Sequence, residues 1–409
     1  MASEYGVDPA REGSYEKWQT SYLPFHWFVE FYGIMRAGGF DVIIGNPPYV
    51  QWSRVNGYRV IGYATAGCPD IFAACVERSL RLLGRNGAFA MILPISFQFS
   101  ADYTVARSVC RKVLGDVWVS AYSRNPSALF SAGLGVRSTI CVGRVGGGST
   151  AHIRSSTLHR WVEEYRPVLF SCLHYEEMPR QLAVFGWPRL DSSRIADLFC
   201  GLVERGGRLD GGVRRGSYEL RFKSIALYYI SAFLKDPPSY DSRGRPIGQT
   251  GISSLRFRKK EERDLALIVA LGKIALLWWA ATGDDFHVTA SGLGSTPVDV
   301  NALPVATRTQ LGLLSRQVVD ALDGNIIYTK YAGKWMGNYD VKYVRELTDR
   351  ADRLLLEACG FEKYWDDVEV AYSRFMKATG ERPGTVREVP DFGGIRRGRG
   401  SAVNRHVIP

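Results

Sequence analysis

The chain has 409 residues, of which 46% are hydrophobic, 12% aromatic and 23% charged. That composition gives room for two or three cored domains and excludes a disordered, collagen-like or coiled-coil chain. Lys and Arg number 52 against 41 Asp and Glu, a balance of +11 with a pI near 9.3, which points to a polyanionic partner. Seven Cys include no C-x-x-C pair, so neither a disulfide framework nor a zinc knuckle is indicated, and the six scattered His suggest no metal site. The opening Met1–Gly13 has no apolar signal core, which predicts a reducing, cytoplasmic location. The one long apolar run, Leu265 to Ala281, is broken by Gly272 and Lys273. It falls short of the roughly 20 residues of a membrane span, so a buried helix and no membrane association are expected.

Phe40-Asp-Val-Ile-Ile-Gly45 is a short apolar run ending in Gly, as in a fully buried parallel strand. Pro69-Asp70 then opens a helix with apolar positions at Phe72, Cys75, Val76, Leu80 and Leu83, closed by Gly84 and Gly87. Ala88 to Leu93 reads as the next buried strand, Asp102 to Leu114 as a helix, and Val117–Tyr122 and Ser138–Val145 as strands. The resulting βαβαββ order predicts an α/β fold, half of a doubly wound Rossmann-like sheet. Gly146-Gly-Gly-Ser-Thr150 is the sharpest break in composition and suggests a domain boundary. Beyond it lies a mixed α+β region, with helices expected over Val341–Cys359 and Tyr364–Ala378. The expected division is 1–148, 149–330, 331–390 and a basic Gly/Arg tail, 391–409, with the disordered composition of such segments.

Charge is concentrated in residues 205–260, which hold 13 Lys or Arg and 4 Asp or Glu, with aromatics interleaved. A single charge there reads as solvated surface. A block this biased reads as a nucleic-acid contact, with Arg214, Arg215, Arg256, Arg258, Lys259 and Lys260 as candidates.

Asn46-Pro47-Pro48-Tyr49 follows the first strand directly. The tetrapeptide arises by chance in on the order of one in several hundred chains of this length. The carboxyl end of a parallel strand is also where doubly wound folds place their sites. Its chemistry suits transfer of a methyl group to an exocyclic amine. The side-chain carbonyl of Asn46 and the backbone carbonyl of Pro47 can accept the two N–H bonds of an adenine amino group and aim its lone pair outward. The two prolines hold the backbone extended. Tyr49 supplies a ring on which a base swung out of its duplex can stack.

Gly39-Phe-Asp-Val-Ile-Ile-Gly-Asn-Pro-Pro-Tyr-Val50 resembles the catalytic motif of the adenine-N6 DNA methyltransferases, in particular the bifunctional type II restriction-modification methylases. Pro24-Phe-His-Trp27, Pro69-Asp-Ile-Phe-Ala-Ala-Cys-Val-Glu-Arg78 and Gly87-Ala-Phe-Ala-Met-Ile-Leu-Pro94 extend the resemblance. It implies S-adenosylmethionine as cofactor, double-stranded DNA as partner, and a target-recognition region after the catalytic sheet. It also implies that Asp70 and Phe72 lie at the methionine end of the cofactor. A second aromatic for the flipped base is expected before the last strand, where Phe130 is the candidate, with core packing as its other reading. Leu277-Trp-Trp279, Gly283-Asp-Asp-Phe-His287 and Leu303-Pro304 are similar to the end of the family's recognition region.

The family's Gly-rich cofactor loop lies upstream of this motif, and only 39 residues precede Phe40. Asp8-Pro-Ala-Arg-Glu-Gly13 has part of that loop's outline but lacks its first glycine and an apolar strand before it. The expectation is therefore the catalytic and recognition half of a methyltransferase from a restriction-modification or phage-defence system. A partner polypeptide would carry the cofactor half. A non-catalytic DNA-binding or specificity protein, or a truncated remnant, is the alternative. Methylation of RNA or of a protein glutamine fits the long basic region less well.

Overall fold

The computed structural model describes residues 7–8, 10–55, 60–130, 136–146, 151–212, 215–226, 228–376 and 385–386. The tail at 391–409 lies outside them. Three short helices, α1 (Ser14–Tyr22), α2 (Trp27–Glu30) and α3 (Tyr32–Arg36), lead into strand β1 (Phe40–Gly45). Helix α4 (Ile71–Leu82) buries Phe72, Val76 and Leu80, spaced four apart on one face. It passes without a loop into β2 (Leu83–Pro94), so the strand starts earlier than its apolar run and the glycines lie inside it. Gly87 is needed there because a Cβ would lie 3.0 Å from both the Gly84 and Phe40 carbonyl oxygens, beside a register shift in the β1–β2 pairing. Helices α5 (Ser96–Phe99) and α6 (Thr104–Val113) precede β3 (Leu114–Tyr122), β4 (Ser138–Val145), β5 (His152–His159) and the two-residue β6 (Glu176–Glu177).

These strands form one mixed sheet in the order β1-β2-β4-β3-β5-β6. The β1–β2 and β3–β5 pairs are parallel, and β4 runs antiparallel between β2 and β3. The ends of β1, β2, β3 and β5 and the start of β4 thus share one edge. The glycine-rich break does not close this sheet, because β5 and β6 lie beyond it. Gly146 is there for a close backbone approach: a Cβ on it would lie 2.4 Å from the Gly115 Cα. Gly147–Thr150 are outside the described residues.

Helix α7 (Ser193–Glu204), capped by the Ser192 hydroxyl accepting from Ile195 N–H at 3.3 Å, opens the second half. Strands β7 (Tyr218–Lys223), β8 (Ala232–Phe233), β9 (Ser239–Tyr240), β10 (Pro246–Ile247) and β11 (Ile252–Phe257) follow. Next come α8 (Lys260–Ala270), α9 (Lys273–Thr282), α10 (Ala290–Gly294), α11 (Val305–Gly324), β12 (Ile326–Tyr331) and β13 (Lys334–Tyr339). The described chain closes with α12 (Arg345–Cys359), α13 (Trp365–Met376) and β14 (Thr385–Val386). A three-stranded sheet has the order β11-β7-β8, and a five-stranded one β10-β9-β13-β12-β14. The expected division at 330/331 falls inside the β12–β13 hairpin, turned by Ala332 and Gly333, both at positive φ. One continuous apolar core runs from Cys68, just before α4, to Ala371 in α13.

The apolar run at 265–281 is two buried helices, α8 and α9, meeting at 73°. Among the described residues no single helix is long and apolar enough to cross a membrane. The bend is fixed by Asp352 of α12, whose carboxylate accepts the Lys273 N–H at 2.7 Å and stands where a Cβ on Gly272 would collide, 2.4 Å away. Burial pushes the Asp352 carboxyl up to about 7. Between roughly pH 4 and 7 the unfolded chain therefore releases a proton that the folded chain keeps, so this group costs stability as pH rises through that window. Asp352→Asn keeps the acceptor oxygen and removes the titration. Its urea midpoint relative to wild type is expected to rise between pH 5 and pH 8, and a constant difference would show that Asp352 is ionised throughout.

Candidate active site

The tetrapeptide leaves β1 as extended chain, with Asn46 and Pro48 exposed, Pro47 buried and Tyr49 half-buried. Tyr49 is tethered at both ends of its side chain. Its hydroxyl donates to the Ile92 carbonyl of β2 at 2.9 Å, and its ring meets Phe72 edge-on at 6.3 Å. Burial pushes this hydroxyl up to about 12, so it remains a proton donor at neutral pH. The chain after the motif is stitched to the start of α4: Ile71 N–H donates to Val50 and Trp52 N–H to Pro69, each at 2.9 Å. Glu77, buried in α4, accepts from the N–H of Ala64 (3.1 Å), the N–H of Thr65 (2.8 Å) and the Thr65 hydroxyl (2.7 Å). Arg81 beside it donates to Gly62 O at 2.7 Å. Residues 62–65 are thereby held against α4.

Asp70 and Phe72 part company. Asp70 is half-buried at the start of α4, and its carboxylate accepts a hydrogen bond from the Tyr103 hydroxyl. Phe72, expected at the cofactor, is instead wholly buried among Tyr49, Phe97 and Tyr103. The apolar periodicity of α4 turns it inward, so it backs the Tyr49 ring and has no surface to offer a ligand.

Phe130 lies 49% exposed on the β3–β4 loop, which excludes the core-packing reading for its ring. Both ends of that loop meet a cluster that composition did not reveal. Asp285, 1% exposed, adopts a left-handed φ of 66° that turns its carboxylate into the sheet edge. There it accepts from the Ser123 hydroxyl and from Arg160, with Nε at 3.1 Å, while Arg137 stands 3.5 Å away. Arg124 and Arg137 also lie over the Phe286 ring, at 4.9 and 4.7 Å. The nearest sequence signal was the Gly283–His287 run.

On the far side of the motif, β1 pairs only with β2 among the described residues. Val42 and Ile44 are 56% and 76% exposed. They face an apolar hollow of about 450 Å³ walled by Trp27, Phe40, Trp52, Tyr63 and Ala74. Gly13, at the end of the outlined loop, begins α1 with φ 71°, and no strand precedes it among the described residues.

The basic block is partly self-neutralised. Arg256 pairs with Glu219 across the β7–β11 ladder, and Arg221 holds Asp236 at 2.7 Å, so neither is a bare cation. Arg215, Arg258, Lys259 and Lys260 are exposed, and Arg214 lies outside the described residues. Of the interleaved aromatics, Phe222, Phe233 and Phe257 are core residues, placed there by strand alternation. Tyr218 is exposed under Arg263.

Residues 7–122 match the family described as Eco57I restriction-modification methylase. A Methanocaldococcus jannaschii protein named as a type II restriction enzyme and methyltransferase is 34% identical over 111 residues, 25% of this chain and 9% of that protein. The type II methyltransferase M.CvrRI of Paramecium bursaria Chlorella virus XZ-6E is 32% identical over 90 residues, 21% of this chain and 22% of its own length. The chain thus spans less than a quarter of either relative. Among solved structures, a nuclease-deletion mutant of the Type ISP restriction-modification enzyme LlaGI, in complex with a DNA substrate mimic, covers 83% of this chain and 53% of its own. Its 10% identity and TM-score of 0.38 carry no argument about function. The stretch that matches the Eco57I restriction-modification methylase family contains the Asn-Pro-Pro-Tyr segment and strands β1, β2 and β3.

Proposed function

We propose that this chain is the catalytic and DNA-recognition part of a restriction-modification methyltransferase that methylates the N6 amino group of adenine in DNA. The observation that carries the reading is the exposed Asn46 at the carboxyl end of β1, beside a Tyr49 ring fixed by Ile92 and Phe72. S-adenosylmethionine, when bound, supplies the electrophilic methyl group. Asn46 and the Pro47 carbonyl accept the amine's two N–H bonds and so localise its lone pair, an interaction that strengthens as the nitrogen becomes tetrahedral. Tyr49 and Phe130 take the two faces of the extruded adenine. Asp70, steadied by Tyr103, would hold the methionine end of the cofactor, whereas buried Phe72 would not.

The donor set fits only that end of the cofactor. The remaining contacts belong on the open side of β1, where Val42, Ile44 and the apolar hollow are uncovered. Parallel strands are normally covered on both faces and paired on both edges, so this side calls for further strands. A preceding segment or a separate polypeptide would supply them with the ribose-binding contacts.

In an assembly that methylates DNA, Asn46→Ala is expected to lower turnover by about 10²–10³, the cost of one lost transition-state acceptor, about 2.7–4 kcal/mol, with DNA affinity largely kept. Tyr49→Phe is expected to be mild and Tyr49→Ala severe, since stacking survives only in the first. Near-normal transfer of tritiated methyl groups by Asn46→Ala would end the catalytic assignment.

The 409-residue chain alone is expected to bind S-adenosylmethionine weakly or not at all by calorimetry. Binding is expected to appear when a polypeptide carrying a strand followed by a Gly-rich loop is added. Tight stoichiometric binding by the chain alone would assign the cofactor contacts to residues already present.

A further inference from the structure

We propose that the β12–β13 hairpin is a ribbon that enters the major groove of duplex DNA, with Tyr331 and Lys334 turned to the base edges and Lys330 and Arg243 set on the flanking phosphates. This rests on the DNA-methyltransferase reading above and adds a recognition element to it, where composition suggested only a domain boundary. Hairpin residues 326–339 include two Lys and no Asp or Glu. Residues 330–334 are exposed in succession, and Tyr331 between the two lysines is 74% exposed. A second turn, residues 241–245, lies at the same end of the sheet, because β9 runs antiparallel beside β13 with Tyr240 opposite Trp335. It brings Arg243 and Arg245, both exposed. Asp241, the one acid of the two turns, accepts from the N–H groups of Arg243 and Arg245 and from Arg245 Nε, at 2.8, 2.9 and 2.8 Å. Lys330, Lys334 and Arg243 enter no ion pair among the described residues. This end of the sheet therefore presents uncompensated positive charge, as a polyanion requires.

Strand alternation gives the ribbon two different faces. Tyr328, Gly337 and Tyr339 are buried on one of them, where the Tyr339 ring lies 5.6 Å from Phe233. Thr329, Tyr331, Lys334 and Met336 share the other, none of them buried, with Tyr331 directly opposite Lys334. The major groove, about 12 Å wide, admits a two-stranded ribbon, and Lys, Thr and an aromatic ring can bond or touch its base edges. Lys330 lies over the Trp335 ring at 5.5 Å, which steadies its ammonium without an acceptor and leaves its hydrogens for a phosphate. The turn suits entry. Ala332 and Gly333 take φ of 46° and 76°, a geometry that Asn-Gly or Asp-Gly usually builds. Ala in the first place gives up turn stability and keeps the tip slim and free of a carboxylate. The base of the ribbon is stiffly held: Gly337 N–H donates to the Ser239 hydroxyl at 3.0 Å, and the Gln249 amide donates to the Gly337 carbonyl at 2.7 Å. The segment that carries these partners is bonded in turn to the Asp285 neighbourhood, through Ala226 N–H to the Phe286 carbonyl at 2.8 Å.

The test uses the full chain. Repeated capture from a randomised duplex pool gives the sequence that wild type prefers, and anisotropy from about 50 to about 200 mM salt then gives the slope of log K on log salt. Lys330→Gln and Arg243→Gln are each expected to flatten that slope by about 0.9. Each should weaken selected and scrambled duplexes alike, roughly eightfold at about 0.1 M salt. The Tyr331→Ala/Lys334→Gln double variant is expected to cut the preference for the selected duplex about tenfold. Replacing purines of the selected site with 7-deazapurines removes the N7 acceptors of the major groove. That should weaken wild type and cost the double variant nothing further. Lys334→Gln alone carries the test if the double variant fails to fold by circular dichroism. Unchanged slopes in both folded cation variants, or a full preference kept without Tyr331 and Lys334, would overturn the ribbon and leave the hairpin to a protein partner. A wild type that binds duplexes without enriching any sequence would overturn its base-reading role. Failure of wild type to bind any duplex would overturn the DNA-methyltransferase reading itself.

Discussion

The hydrogen-bond ladder of a mixed sheet decides which segments of this protein meet at one edge. Because β1 and β2 run in the same direction and β4 is slotted antiparallel before β3, several strand ends and one strand start are forced onto a common edge. The Asn-Pro-Pro-Tyr segment, the Phe130 loop and the arginine cluster then become neighbours without any contact in sequence. Ladder bonds hold this layout far more stiffly than loop contacts could, since each strand position is fixed by pairing on the next strand. The apolar core that runs on into α9 and α13 fixes the second half of the chain to the same frame.

The half of the chain that carries the Asn-Pro-Pro-Tyr motif was legible because its signals are local. A buried strand ending at Gly45, a helix opening at Asp70 and the prolines of the motif each carry their own geometry in a few residues. What could not be read was pairing at long range. Nothing between Gly146 and Thr150 says that the next strand returns to the same sheet, since a glycine that admits a neighbouring backbone looks like a glycine in a linker. Phe72 was misplaced for a similar reason. Periodicity shows that it belongs to a helix face, but the position of Tyr49 above it is a tertiary fact.

Charge counting was the weakest guide. The segment from 205 to 260 is basic in sum, yet Arg256 meets Glu219 across a strand pair, as cross-strand neighbours of opposite charge do, and Arg221 meets Asp236 in the connection after β8. A buried carboxylate, Asp285, instead gathers Arg137, Arg160 and Arg189 from three separate stretches of the chain. A sum over sequence neighbours measures the solvent-facing field of a region. It is blind to groups that fold topology brings together.

Under the proposed function, the tether between the Tyr49 hydroxyl and the Ile92 carbonyl has a consequence for how a base would be received. The ring is locked to the neighbouring strand, and the loop beyond it is pinned by the Glu77 carboxylate. In that reading the stacking surface would exist before any base arrives, its ordering entropy spent during folding and not during each encounter. The opposite wall would be Phe130, exposed beyond the end of β3. The rigid half of such a site would then be the strand-anchored Tyr49 ring, a fixed anvil against which a base is laid.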